Sequence, residues 1–294
     1  MTTEIAGAAQ AAAEHGPTAG EYIVHHLHHN AAHAQGIVDF SNLHYDTILW
    51  SVLMAIVTAV FLIAGARRMQ AGVPGRFQGF VEWIAEMVED QSKSIVHGNR
   101  SFIAPLALTV FIWVILMNSM DFLPVDLFSW IFGKLGIHNA EGHAPFFRVV
   151  PTADLNGTLG MALVVLFFML YYNVKIKGLG GFVHELFNAP FGAHPALWIP
   201  NLFLNLIEFV ARTVSLAMRL FGNMFAGELI FLLIALLGAQ WTATTGVGTS
   251  LALSGLHIFA GSVWAVFHIL IVLLQAFIFM MLTLVYIGQA HESH

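Results

Sequence analysis

Between Pro200 and Gln289 the chain carries only four charged residues, Glu208, Arg212, Arg219 and Glu228, all in the first of two long apolar runs. The Gly/Thr/Ser-rich segment Gly238–Gly255 divides the two. As continuous helices, residues 200–237 and 256–289 would extend ~57 Å and ~51 Å, against a hydrocarbon core of ~30 Å. No proline falls within 201–290 to break either run. The pattern therefore predicts two unbroken helices packed as a hairpin, tilted well beyond the ~20° usual for spanning segments.

Arg219 is the costliest residue in these runs, because a guanidinium in hydrocarbon is expensive and marks a functional position by default. Ser215, Arg219 and Asn223 stand at i−4, i and i+4 and share one helical face. Glu228 is turned half a revolution away, at roughly 100° per residue. One face thus presents a cation with small polar neighbours, and the other a carboxylate. No carboxylate lies at i±3 or i±4 from Arg219, and arginine does not neutralise itself by losing a proton. Its counter-charge must come from elsewhere, another subunit included. Glu208 and Arg212, at i and i+4, are predicted to pair structurally.

On the second run, His257, His268 and Gln275 fall on one face that can meet the Glu228 side of its partner. A carboxylate, an imidazole and an amide, linked by water, are what a protonatable path through a membrane requires. The plainer reading is interhelical hydrogen bonding, worth ~0.6 kcal/mol per group. It is the expectation for His257 beside the loop, while His268 and Gln275 suit either reading.

The remaining chain supports a membrane class. Of 294 residues 58% are hydrophobic and 10% charged, with mean hydropathy +0.77, which is outside the range of soluble domains. The absence of cysteine excludes disulfides and thiolate metal sites, and a net charge of −6 without a basic run argues against nucleic acid. No secretory signal or transit sequence is expected. Residues 1–43 form a polar tail in which His25, His26, His28, His29 and His33 cluster. These side chains suit transition-metal binding in principle, but a solvated tail is the expectation, with no metal assigned.

Further spans are predicted at about 47–66, 102–120 and 155–172, in a single membrane domain over 44–290, with an amphipathic interfacial helix over 77–97. Phe77, Phe80, Val81, Ile84, Met87 and Val88 make its apolar stripe, opposite Glu82, Glu86, Glu89 and Lys93. The third span is expected to end at Lys175, Lys177 and a Gly178–Gly181 loop, with a proline-bearing connection from 182 to 200. The fold class is thus all-α and polytopic, with five membrane-crossing helices. Arg67, Arg68, Arg76, Lys93, Arg100, Lys175 and Lys177 then share one side, opposed only by Lys134 and Arg148. The positive-inside tendency puts that side in the cytoplasm, the amino terminus outside and residues 291–294 inside. Asp121, Asp126, Arg148, Asp154 and Asn156, at or between the outer ends of the second and third spans, suit a polar outer vestibule or, equally, loop-end bridges and caps. No phosphate-binding loop is present, so any energy transduction on this chain moves charge, and no catalysis of its own is expected.

Several segments resemble one family. Ser215-Leu-Ala-Met-Arg219-Leu-Phe-Gly-Asn223-Met-Phe-Ala-Gly-Glu228-Leu is similar to the signature of the a subunit of bacterial F-type rotary ATP synthases. Residues 104–109, 117–124, 151–156 and 267–279 resemble the same family in the right order. The resemblance implies a stator of the membrane sector in the bacterial inner membrane, beside a ring of c subunits and bound to b-type peripheral-stalk subunits, with no cofactor. Two offset half-channels would lead protons to the ring, coupling their flow to ATP synthesis or hydrolysis. Arg219 matches the family's essential, ring-facing arginine that separates the paths. Asn223, Glu228, His268 and Gln275 match positions of the outer path, and Ser215 lies toward the inner one. Thr213 departs from the proline frequent in the family, and the His-rich tail matches no family motif. A secondary ion or solute transporter or channel with an intramembrane arginine is the alternative, yet inverted repeats and paired broken helices are lacking. A haem protein would need histidines on the earlier spans, and a mere scaffold would not carry Arg219.

Overall fold

The computed structural model describes residues 44–124, 127–136, 148–192, 194–239 and 246–291; the histidine cluster of residues 25–33 and Asp126 lie outside them. Seven α-helices occur among these residues: α1 (Tyr45–Arg67), α2 (Arg76–Ile95), α3 (Ile103–Ser119), α4 (Leu127–Lys134), α5 (Leu155–Asn188), α6 (Trp198–Ala239) and α7 (Val247–Gly288). No strand is found among the described residues. Five of the segments, all but α2 and α4, are long and apolar enough to cross a membrane.

The described residues form two compact units, one from those within 48–120, 150–225 and 269–291 and the other from those within 44–47, 121–149 and 226–268. In the first, Val114, Met117, Leu216, Leu220, Met280, Leu284 and Ile287 centre an apolar core. Helix α2 packs on α3 and buries Val81, Ile84, Val88 and Ser92, a stripe at helical spacing. The buried face is therefore narrower than the amphipathic stripe read from sequence, since Phe77 and Phe80 stay exposed. Trp113 Nε1 on α3 donates to the Ser51 carbonyl of α1 at 3.2 Å.

The third apolar span continues beyond its expected end. Helix α5 starts on the Asp154 cap, whose carboxylate accepts from the Asn156 N–H at 3.0 Å. It runs through both lysines to Gly178, where φ 72° and ψ 160° mark the junction of two helical stretches. That backbone conformation is essentially glycine-only. The residues predicted as loop and connection after Gly178 are thus helical as far as Asn188. Tertiary bonds hold them. Lys177 Nζ bonds both Glu185 oxygens, at 2.8 and 2.7 Å, across the junction. Two asparagines a turn apart on α6 take up the free carbonyls at the end: Asn201 Nδ2 donates to Phe187 and Gly192 at 2.8 and 3.2 Å, and Asn205 Nδ2 to Leu186 and Ala189 at 3.0 and 2.9 Å.

The two last helices are unbroken, 42 residues each, or ~63 Å. Helix α7 begins at Val247, inside the segment read as a divider. The Gly246 carbonyl accepts there from the Ser250 N–H and the Thr249 hydroxyl, at 3.1 and 2.7 Å, so the small polar residues open the helix rather than interrupt it. Within each unit α6 and α7 run antiparallel. His257 Nδ1 meets the Ile234 carbonyl at 2.7 Å and Gly227 faces His268 in one, and Arg219 pairs with Gln275 and Arg212 with Gln289 in the other. The long connection between Asp121 and Asn156 contains α4. The first unit closes on the turn Gln289–His291, which packs on α5.

Replacing Gly178 by alanine should cost about 1–3 kcal/mol, because the conformation is closed to L residues. Gly180→Ala, with open space at its Cβ position, serves as control. The thermal unfolding midpoint of the purified complex should fall for the first and hold for the second.

Candidate functional site

Helix α6 sorts its polar residues by face. Leu216, Leu220 and Met224 are buried, whereas Ser215, Arg219 and Asn223 are exposed together with Val214 and Met218. The shared face read from sequence is real, and it is an outer surface. Arg219 makes no side-chain ion pair or hydrogen bond among the described residues; its backbone carbonyl accepts from Gln275 Nε2 of α7 at 2.8 Å. Gln275 is buried in the same unit. Apart from Ser215 and Asn223 the exposed neighbours of Arg219 on α6 are apolar, and its charge is not compensated among the described residues.

The other unit buries Arg148, Glu228, Asp121 and His268, besides Asp46 at the start of α1. Arg148 and Glu228, 5% and 6% exposed, are joined by Nη2 and Nε, which donate to Glu228 Oε2 at 2.6 and 3.2 Å. His268 Nε2 lies 2.7 Å from Asp121 Oδ2, with the ring wholly buried. The approach is close but poorly aligned for a hydrogen bond, and neither ring nitrogen has a hydrogen-bond partner among the described residues. Phe122, Phe231 and Trp264 pack around the imidazole at centroid distances of 5.3, 5.2 and 6.0 Å. Gly227 lets the ring approach α6, since a Cβ there would stand 2.3 Å from His268 Cε1 and 3.2 Å from Asp121 Oδ2. Glu228 follows Gly227 directly, so the two pairs lie against adjacent residues of α6.

The arrangement differs from the expected one in its partners. Glu228 bonds Arg148, and His268 meets Asp121. Asp154 is the α5 cap and Asn156 its partner, which is the plainer of the two readings for that pair. His257 makes an interhelical bond, as expected. Glu208 and Arg212 pair, and Arg212 also bonds Gln289. Chemically, an imidazole with nitrogens to spare beside a carboxylate can take and pass a proton, while a guanidinium holds a neighbouring carboxylate charged.

The family model described as ATP synthase A chain matches residues 48–288. An ATP synthase subunit a of Paracidovorax citrulli is 52% identical over 97% of this chain and 100% of its own length. One from an Acidovorax species is 50% identical with the same coverage, and an ATP synthase subunit a 1 of Methylococcus capsulatus is 47% identical over 93% of this chain and 95% of its own. The chain belongs to the family of ATP synthase a subunits. It is therefore a multi-pass protein of the bacterial membrane and a member of the ATP synthase complex, and the transporter alternative is set aside.

Within this a-subunit fold the sequence reading missed three features. Asn118 is fully buried with both amide atoms lacking hydrogen-bond partners among the described residues; its place three residues before Asp121, in an apolar run, was the available signal. The aromatic walls of His268 were legible in part, because Trp264 precedes it by one helical turn. The long-range pairing of Arg148 with Glu228 left no local trace.

Arg148→Met should destabilise the a subunit by about 3–5 kcal/mol, since it leaves Glu228 buried without its cation, and adding Glu228→Leu should restore most of the loss. Denaturant titration of the purified complex separates the two. Gly227→Ala, which cannot keep His268 in place, should lower proton pumping, whereas Gly222→Ala, with open space at its Cβ, should not.

Proposed function

We propose that the chain supplies two offset half-channels to a rotating ring of c subunits, and that Arg219 separates them. The observation that carries this reading is the contrast between Arg148 and Arg219. Arg148 is buried and matched to Glu228, while Arg219 stands on an outer face of an apolar helix without an ion pair among the described residues. In a bilayer that exposure is costly unless an anion from another chain faces it. A carboxylate carried past on a c subunit meets the requirement: the guanidinium favours its deprotonated form and repels a proton crossing directly between the paths.

Asp121, His268, Arg148 and Glu228 form the outer path in this proposal, and Gln275 fixes the α6 backbone at Arg219. Asn223 and Ser215 flank Arg219 on the ring-facing surface, toward the outer and inner paths respectively. Asp154 and Asn156 stabilise the outer mouth as a helix cap. The distribution of basic residues supports an amino terminus outside and a carboxyl terminus in the cytoplasm, and ~63 Å helices cross a ~30 Å core only when steeply inclined. Peripheral-stalk subunits of the b type hold the chain against rotation. Nucleotide chemistry belongs to other subunits.

In vesicles containing the assembled complex, Arg219→Ala should abolish ATP-driven pumping and ion-driven ATP synthesis, while passive proton leak persists or rises. Pumping that survives the substitution would reduce Arg219 to a packing or headgroup anchor and overturn the proposal.

A further inference from the structure

A cavity of about 270 Å³ opens on the side of the first unit, walled by α1, α3, α5 and α7, all four of them helices apolar enough to cross a membrane. Its floor is buried: Val165, Phe279 and Thr283. Its rim is exposed at Gly160 and Val164 of α5. Two glycines of α5, Gly157 and Gly160, are part of its lining. A Cβ at Gly160 would meet nothing within 4 Å.

The chemistry of the walls narrows the occupant. No charged residue lines the cavity. The Thr283 hydroxyl donates to the Phe279 carbonyl at 2.8 Å, and the Trp113 indole N–H to the Ser51 carbonyl at 3.2 Å, so the Ser51 hydroxyl is the one side-chain donor left on the walls. Water needs two or more polar partners and does not settle in such a site. An empty cavity is no better, because the walls forfeit the dispersion contacts that a close-packed interior makes. By volume, an apolar space of roughly 150 Å³ accommodates a benzene ring, so this one holds about ten chain carbons.

We propose that this cavity is a binding site for one acyl chain of a membrane lipid, entering laterally past Gly160 and Val164. Recognition is by the hydrocarbon alone. With no cation or hydrogen-bond donor at the rim to read a headgroup, phosphatidylethanolamine and phosphatidylglycerol serve equally. The gain comes from packing rather than from hydrophobic transfer, since a chain leaving bulk lipid loses no apolar environment. The site is independent of the proton path proposed above.

The test uses the intact complex in lipid nanodiscs containing a phosphatidylcholine whose acyl chain bears a photoactivatable diazirine, with labelled residues mapped by peptide mass spectrometry. Val110, Phe168 and Phe279 on the cavity walls should be labelled above Ile56 and Val60, which lie on the exposed face of α1. Gly160→Leu, which fills the space, should bring wall labelling down to the α1 level while leaving ATP-driven pumping unchanged. Exchanging phosphatidylethanolamine for phosphatidylglycerol in the surrounding bilayer should leave the labelling unaltered. Wall labelling no higher than that of α1 in the unsubstituted complex overturns the proposal, whether or not the leucine variant assembles. So does labelling that Gly160→Leu fails to reduce, or a cavity filled instead by a polypeptide segment of a neighbouring subunit, detected as a protein–protein cross-link.

Discussion

Where hydrocarbon replaces water, a polar group left without a partner costs several kcal/mol, and this constraint orders most of the bonds described here. Hydroxyls inside the helices turn back on their own chain: Thr58, Thr109, Thr213, Ser262 and Thr283 each donate to the carbonyl four residues earlier, at 2.7–2.8 Å. Larger groups reach across. Asn201 and Asn205 complete the end of α5, His257 takes the Ile234 carbonyl, Gln275 takes that of Arg219, and Arg148 claims Glu228. Arg219 stands apart from this accounting, which is why it carries the functional reading.

The constraint also explains which parts of the fold were legible in the sequence. Length and apolarity identify the five spans, because spanning helices satisfy their backbones locally. The phase of Ser215, Arg219 and Asn223 against Glu228 follows from helical periodicity, and the structure keeps it. Local punctuation was less reliable. Gly178 has the local signature of a loop start, yet it joins two helical stretches, since Lys177 and Glu185 bond across it and the two asparagines of α6 complete the helix end. The Gly/Thr/Ser segment was read as a divider, yet it begins α7. Pairings between residues far apart in the chain, such as Arg148 with Glu228 across 80 positions, have no periodic signature at all.

Four titratable side chains enclosed by apolar and aromatic groups have a further physical effect. Low polarisability around Asp121, His268, Arg148 and Glu228 strengthens every interaction among them, so a proton added to or removed from one alters the balance for the rest. Such coupling suits a path in which occupancy at one site has to be felt at the next. It also makes the cluster intolerant of single losses, because each group depends on a specific neighbour for its compensation.

The core of the larger unit combines Ile84 and Val88 of α2 with Ile287 and Ala290 at the far end of the chain. During synthesis the early helices therefore enter the bilayer long before the residues that complete their packing exist. Local helices form quickly, but contacts so distant in sequence must wait for the last segment. Until then the apolar faces of α2 and α3 remain open to lipid or to whatever insertion machinery holds them. The seating of Gln289–His291 against α5 is thus among the latest contacts of this core to form.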